Sequence, residues 1–223
     1  TRFQHMDINR IPFYQYNTII VGTGAAGLNA AVTLHKLGQK NIALITEGRY
    51  MGTSRNTGSD KQTYYKMTQC GSEPDSVRKM AKTLFEGGCV DGDIAMAEAA
   101  GSLRAFYHLV DIGVPFPFNK SGEYVGYKTD HDPLKRGISA GPLTSKYMTE
   151  CLERQAEERG IPLFDGYQAV RLLTEEKDGD KRAAGIIALN KQKAASPDER
   201  YAVFSAVNII WATGGEAGMY QAS

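Results

Sequence analysis

Six residues constrain this chain more than any others. They are Gly22-Thr23-Gly24-Ala25-Ala26-Gly27, a GxGxxG spacing set directly after the β-branched run Asn17-Thr18-Ile19-Ile20-Val21. A short apolar run that ends in glycine reads as a buried parallel strand. The next residues, Ala25 to Leu37, repeat Ala30, Ala31, Leu34 and Leu37 at three- and four-residue spacing, which predicts a helix. Gly38 stands where a C-terminal cap glycine belongs. Ile42 to Thr46 is a second apolar strand. Strand, helix and strand take about thirty residues, the length of a βαβ unit. In such a unit each glycine has a task. Gly22 permits the tight turn, Gly24 lets backbone approach a pyrophosphate with no Cβ in the way, and Gly27 lets the helix pack closely on the sheet. The amides of the helix N-terminus then face the anionic phosphates. Ala25 and Ala26 keep that approach narrow without blocking it. Glu47 ends the second strand, twenty residues after Gly27. A carboxylate there accepts hydrogen bonds from both hydroxyls of an adenosine ribose and repels a 2′-phosphate. The bland alternative, a glycine-rich turn with a surface glutamate, requires strand, glycines, helix and acid to fall in order by coincidence.

The rest of the chain decides between dinucleotides. Residues 1–16 are polar with scattered aromatics and read as an N-terminal arm or edge segment. Residues 48–74 form a polar stretch too long for an idle connection. Helices are predicted over 75–86, 93–112 and 144–159, the last closed by Gly160 and Pro162. From Leu163 the pattern turns to strand: 163–165, 167–174, 183–190 and 201–207, with Asp178-Gly179 as a hairpin turn. A final apolar strand, 208–212, runs into Thr213-Gly214-Gly215. The fold class is therefore α/β: a Rossmann-like FAD-binding fold, with a parallel sheet, helices and an inserted antiparallel β-meander. That meander interrupts the βαβαβ repeat of a simple NAD dehydrogenase, which remains the alternative, and so favours FAD. The small-residue turn after the last strand lies at a strand's C-terminal end, where open α/β sheets bind ligands.

Composition excludes other classes. Lys and Arg number 26 against 25 Asp and Glu, a formal charge of +1, which makes no electrostatic case for nucleic acid or an anionic membrane. No window approaches the roughly 18 consecutive apolar residues of a spanning helix. Cys70, Cys89 and Cys151 form no CxxC pair, so neither a disulfide framework nor a metal site is expected. With no apolar signal core at the N-terminus, a reducing, cytoplasmic setting is expected. Glycine is in excess, 24 of 223 residues, and much of it clusters at 22–27, 48–58 and 214–218.

Residues 21–31 (VGTGAAGLNAA), the acidic strand end at Glu47, the Gly52-Thr53-Ser54 segment and the closing WATGGEAGMY at 211–220 resemble the flavoprotein subunits of fumarate reductase and succinate dehydrogenase. Aspartate oxidase and related FAD-dependent reductases belong to that superfamily, and the resemblance covers residues 17–223. It implies that Gly22, Gly24, Ala25, Ala26 and Gly27 line the pyrophosphate, that Glu47 holds the ribose, and that Gly48 follows it along the same loop. Gly52, Thr53 and Ser54 match the family's glycine–His/Asn–Ser/Thr segment beside the flavin. Gly58 and Ser59 continue toward the isoalloxazine. Val170 matches a position whose backbone contacts adenine. Ala212, Thr213 and Gly214 pass close to the dinucleotide, and Ser139-Ala140-Gly141-Pro142 resembles a glycine-containing segment near the flavin. Respiratory members attach FAD through a histidine; Thr53 stands here instead, which implies non-covalent FAD. The polar Arg55–Lys61 stretch departs from the family's Ala/Gly-rich one and points to a different substrate or to a partner segment that must be neutralised.

The implied function is FAD-dependent oxidoreduction, with hydride transfer between flavin and an unsaturated carboxylate or related small-molecule substrate. An aspartate-oxidase-like amino acid oxidase and a non-catalytic FAD-binding module are the alternatives. The expected domain, 17–223, is the N-terminal portion of an FAD-binding domain. Its capping domain and C-terminal part would come from the remainder of the chain or a companion polypeptide, so no catalytic residue is nominated. Several tempting residues have plainer readings. His131 lies between Asp130 and Asp132, which favour its charged form; it reads as a proton donor near the flavin or, as isolated loop histidines more often do, as a surface residue. His35 and His108 read as structural or exposed. Arg55 and Lys61 read as solvated charges or as a clamp for a carboxylate or phosphate. Tyr64-Tyr65 reads as packing or as cover for a flavin face.

Overall fold

A computed structural model describes residues 10–59, 62–71, 73–130 and 132–215. In chain order the elements are β1 (Phe13–Val21), α1 (Ala25–Lys36), β2 (Ile42–Thr46), α2 (Thr53–Asn56), β3 (Tyr64–Tyr65), α3 (Val77–Glu86), α4 (Gly92–Asp111), β4 (Gly137–Ile138), α5 (Thr144–Glu158), β5 (Leu163–Asp165), β6 (Tyr167–Lys177), β7 (Asp180–Asn190) and β8 (Tyr201–Trp211). The chain forms two compact units. The first comprises Thr1–Asn56 with Leu152–Ser223, and the second is Thr57–Cys151.

The first unit is built on a six-stranded sheet in the order β5-β2-β1-β8-β7-β6. β5, β2, β1 and β8 run parallel, while β7 and β6 continue antiparallel from β8. The central strands are apolar on both faces because both faces are covered. Ile19, Ile20, Ala43, Leu44 and Ile45 are fully buried. Leu28, Ala31 and Val32 of α1 are buried as well, which explains the helical spacing of small and aliphatic residues there. One core joins Ile19, Val21 and Ile45 of the parallel strands to Ile186, Ala188, Ala202 and Phe204 of the meander. Aromatic rings fill that layer: Phe164 lies 4.7 Å from Tyr14 and 4.9 Å from Phe204, centroid to centroid. Gly166, at φ +82°, makes the turn from β5 to β6.

Three boundaries differ from the sequence reading. β1 starts at Phe13, so part of the expected arm is strand, with Phe13–Tyr16 paired to Val203–Ala206. Tyr14 and Tyr16 supply the reason, since both pack on the meander core. The expected strands 201–207 and 208–212 are one strand, β8. Asn208 does not break it, because it pairs with Thr18 and its Nδ2 donates to Asn17 Oδ1 at 3.3 Å. β6 and β7 also extend to the hairpin turn, where Asp178 (φ 55°) and Gly179 (φ 86°) both adopt the left-handed backbone that a two-residue hairpin needs.

The second unit packs α3 against α4 through Met80, Ala81, Ala95 and Ala99. Asp91 caps α4, its Oδ1 accepting from the Asp93 and Ile94 amides. Arg136 is buried at 1% exposure and held by Asp75, Asp132, Tyr65 and Thr83. Tyr64 packs against Phe106 and Phe116, and the Tyr65 hydroxyl donates to Asp132, so this tyrosine pair is packing. Burial, with the Asp132 hydrogen bond, pushes the Tyr65 phenol up to about 12. Burial opposes ionisation of Asp75, but hydrogen bonds from Arg136 and from the Thr68 and Ser76 amides hold its carboxyl below the ordinary range. Among the described residues, no helix is long and apolar enough to cross a membrane and no cluster of His, Cys, Asp and Glu fits a metal ion.

Candidate functional site

The site forms where the parallel strands of the first unit end. The Gly22 amide donates to Ile45 O and the Ala212 amide to Val21 O, both at 2.8 Å, so three strand ends are tied together. Gly22 has φ +109°, and a Cβ there would lie 2.3 Å from Ala212 O. Only glycine fits that turn. A Cβ on Gly27 would lie 2.0 Å from Gly22 O, so α1 approaches β1 as closely as it does because this residue has no side chain. Gly24 differs. It is the N-cap of α1, extended at φ −74° and ψ −178°, and an added Cβ would meet only Ser54 Oγ, at 3.4 Å. Its side is therefore open. α1 has no side-chain cap and no acidic residue in its first turn. Its leading amides carry the positive end of the helix dipole toward the open side, an arrangement that suits an anion.

A cleft of about 450 Å³ opens there, within the usual range for small-molecule sites. Its floor is the turn Gly22–Ala26. Thr46, Glu47 and Gly48 after β2 form one side and Met51, Gly52, Thr53 and Ser54 continue it. Tyr167, Gln168 and Ala169 of β6, with Trp211, Ala212, Thr213 and Gly214 after β8, complete the lining. Thr23 Oγ1 donates to Thr46 Oγ1 at 3.1 Å, locking the turns after β1 and β2 together. Glu47 Oε1 accepts from Lys191 Nζ at 2.9 Å, and both side chains are partly exposed.

The nominated residues divide clearly. Gly22, Gly24, Ala25, Ala26, Glu47, Gly48, Gly52, Thr53, Ser54, Ala212, Thr213 and Gly214 all line this cleft. Gly27 packs beneath it. Val170 is at a β-bulge between Ala169 and Arg171 and is 50% exposed; its neighbour Ala169 lines the cleft. Gly58 and Ser59 belong to the second unit, where the Ser59 amide donates to Pro142 O at 3.1 Å. Arg55 is not a solvated charge: its side chain is 12% exposed and paired with Glu153 of α5. Lys61, His131 and residues 216–223 lie outside the described residues. Sequence reasoning missed Lys191, Trp211, Gln168 and Glu153. Lys191 reaches Glu47 across 144 residues, a contact no local pattern announces. Trp211 stands in the apolar run just before the glycine turn, which is the signal that could have found it.

Known proteins resemble this chain in sequence and in fold. L-aspartate oxidase from Agrobacterium fabrum is 27% identical over 212 residues, 92% of this chain and 37% of that protein. The Pseudomonas aeruginosa L-aspartate oxidase is 29% identical over 223 residues, 93% of this chain and 38% of that one. In fold, the chain is similar to E. coli quinol fumarate reductase FrdA, with a TM-score of 0.77 at 21% identity over 95% of this chain and 34% of that one. Mycobacterium smegmatis Sdh1 gives a TM-score of 0.77 at 18% identity, covering 92% and 35%. The chain thus spans little more than a third of the length of these relatives. The sequence pattern of the FAD binding domain family extends over residues 17–222, from the middle of β1 past the Gly214 turn. With that match running through every wall of the cleft, the chain belongs to the FAD binding domain family.

Proposed function

We propose that this chain provides the dinucleotide-binding part of an FAD-dependent oxidoreductase of the fumarate-reductase type. The observation that carries the reading is the convergence of an uncapped helix N-terminus, the Gly22–Gly27 turn, Glu47 and the Ala212–Gly214 turn on one cleft. The fit is physical. Gly24 leaves open the side on which a pyrophosphate would lie, and the leading amides of α1 point to the same side. In this reading the pyrophosphate is held over Gly22–Gly27 and the adenosine ribose by Glu47. The Tyr167–Val170 segment lies toward the adenine. Gly52, Thr53 and Ser54 lie toward the flavin ring. A threonine hydroxyl at position 53 has no imidazole nitrogen for a flavin linkage, so FAD is held non-covalently. When bound, the flavin accepts or donates a hydride. The chain's own residues bind and orient it, and they tune it electrostatically.

The substrate proposed is an unsaturated carboxylate or a related small molecule. The chain is read as the N-terminal portion of a flavin domain, with the rest of the site supplied by further polypeptide. That reading is supported by the share of the relatives' length that it spans. A second reading, an aspartate-oxidase-like amino acid oxidase, is favoured by the sequence relatives, which are L-aspartate oxidases. The setting proposed is reducing and cytoplasmic, on the cysteine spacing of the sequence. FAD titration tests the first step, because Trp211 is the chain's only tryptophan and lines the cleft. Quenching of its emission by FAD and not by NADP is the expected result; no quenching by FAD overturns the reading. Reoxidation of the reduced flavin separates the two activities, with rapid reaction with air favouring the oxidase.

A further inference from the structure

Behind the cleft, one carboxylate holds the loop that forms its wall. The segment 47–54 lends Glu47, Gly48, Met51, Gly52, Thr53 and Ser54 to the lining. Arg49 and Arg55 bracket the part of it that runs from Tyr50 to Ser54. Arg49 Nε donates to Oε1 of Glu153, and Arg55 Nη2 donates to Oε2 of the same residue. Arg49 Nη2 also donates to Glu157, one turn further along α5. The Tyr50 ring lies against both guanidinium groups, with its centroid 5.3 Å from Arg49 Cζ and 5.2 Å from Arg55 Cζ. The Arg49 amide is fixed from another direction by Asp165 Oδ1 at 2.8 Å. Glu153 itself is buried, at 8% exposure. All these residues belong to the first unit.

Two cations on a common aromatic ring repel one another, and a carboxylate that accepts from both turns the repulsion into a clamp. Both Glu153 oxygens are engaged, one at each end of the Tyr50–Ser54 segment. The side of Gly52 is open, since a Cβ there would meet nothing within 4 Å, and the backbone of the segment is tied by Asn56 Nδ2, which donates to Tyr50 O at 2.8 Å and Gly52 O at 3.0 Å. The Glu153 clamp fixes the arginines on either side of it. We propose that Glu153 is a positioning residue for the flavin-side wall, holding residues 49–55 in the geometry that receives FAD and so setting FAD affinity without touching the cofactor. This rests on the FAD reading above. Glu153 lies on a helix outside the cleft, 98 residues from Arg55 in sequence, and no dinucleotide motif contains it.

The test uses the full chain with Glu153→Gln, Glu153→Asp and Arg55→Gln, and FAD as the probe. FAD affinity is read from Trp211 quenching and the bound environment from visible circular dichroism of the flavin. Glu153→Gln keeps the shape and removes the charge. It is expected to raise the FAD Kd at least tenfold and to change the flavin dichroism. Glu153→Asp restores the charge and is expected to recover most of the affinity. A Glu153→Gln protein with a lower melting temperature but a Kd within twofold of the parent overturns the inference, because Glu153 would then be only a structural residue. Should Glu153→Gln fail to fold, Arg55→Gln decides in the same way, since it frees the other end of the loop. A parent chain that does not bind FAD overturns the functional reading and this inference with it. A parent that binds beside an equally tight Glu153→Gln overturns this inference alone.

Discussion

Replacing Gly24 by alanine adds one methyl group where the proposed pyrophosphate would pass. The fold has little objection to it. Gly24 is extended at φ −74° and ψ −178°, a conformation alanine adopts freely, and the nearest atom to the new Cβ is Ser54 Oγ at 3.4 Å, an ordinary contact. Restricting the unfolded chain at a compatible site stabilises by about 0.4–1 kcal/mol. Alanine is a poorer N-cap than glycine, which offsets that gain, so the ligand-free melting temperature should stay within about 4 °C of the parent. Binding should suffer. A methyl forced into a close-packed contact costs about 1–3 kcal/mol, which is roughly a 5- to 150-fold rise in the FAD Kd. Gly27→Ala makes the contrast, because its Cβ would lie 2.0 Å from Gly22 O and 3.0 Å from Gly22 C, both backbone atoms. α1 must lift from β1, at a cost on the order of 3 kcal/mol or more, so this variant should melt about 6–12 °C lower. The assay pairs FAD titration on Trp211 emission with thermal unfolding of the ligand-free chain. A Gly24→Ala protein with unchanged Kd, or with the stability loss of Gly27→Ala, would refute the assignment of separate tasks to the two glycines.

Three further outcomes follow from named side chains. Glu47→Gln removes a charged acceptor in the cleft and weakens the exposed pair with Lys191. Fluorescence titration should find FAD binding about tenfold weaker or more, while stability changes by no more than about 1 kcal/mol. Asp75→Asn breaks the buried pair with Arg136, and urea unfolding should register a loss of about 3–5 kcal/mol. Because the folded pKa of Asp75 is lowered, its contribution is complete above the unfolded value of about 3.9. It fades as pH falls through the folded value, so an acid titration of stability should be shallower in Asp75→Asn. Lys66 is buried beside Phe106, 4.8 Å from the ring centroid, and burial lowers its pKa. Between its folded value and the unfolded value of about 10.4, the unfolded chain binds more protons, so parent stability rises with pH. Lys66→Met should lack that rise, as melting temperatures taken across alkaline pH would reveal.

What the sequence discloses here is what local pattern can encode. β2 and β5 begin and end at the expected residues, and α1 ends within one residue of the expected Leu37. The glycine turn was legible because glycine at Gly22 and Gly27 answers a steric demand between neighbouring elements. The start of β1 was not, because Phe13–Tyr16 become strand only through partners at 203–206, and their polar appearance hides two buried-facing tyrosines. β8 appeared as two strands because Tyr201–Ser205 pairs with β7 and its C-terminal part, Asn208–Trp211, pairs with β1 alone, so the two stretches carry different patterns. Arg55 was misread as solvated for the same reason: its partner Glu153 is 98 residues away. The Asp75–Arg136–Asp132 cluster was invisible on similar grounds, with 61 residues between the first two. Motifs reveal where a chain bends around a ligand, whereas charge pairing belongs to tertiary contacts.

On the reading above, this cleft holds FAD without a covalent bond. Denaturing the purified, flavin-loaded protein and identifying what leaves it tests that most directly. FAD should be released into solution, one per chain, with no flavin remaining on the precipitated polypeptide. Flavin that stays with the precipitate, or a protein that releases nicotinamide dinucleotide and takes up no FAD, would contradict it.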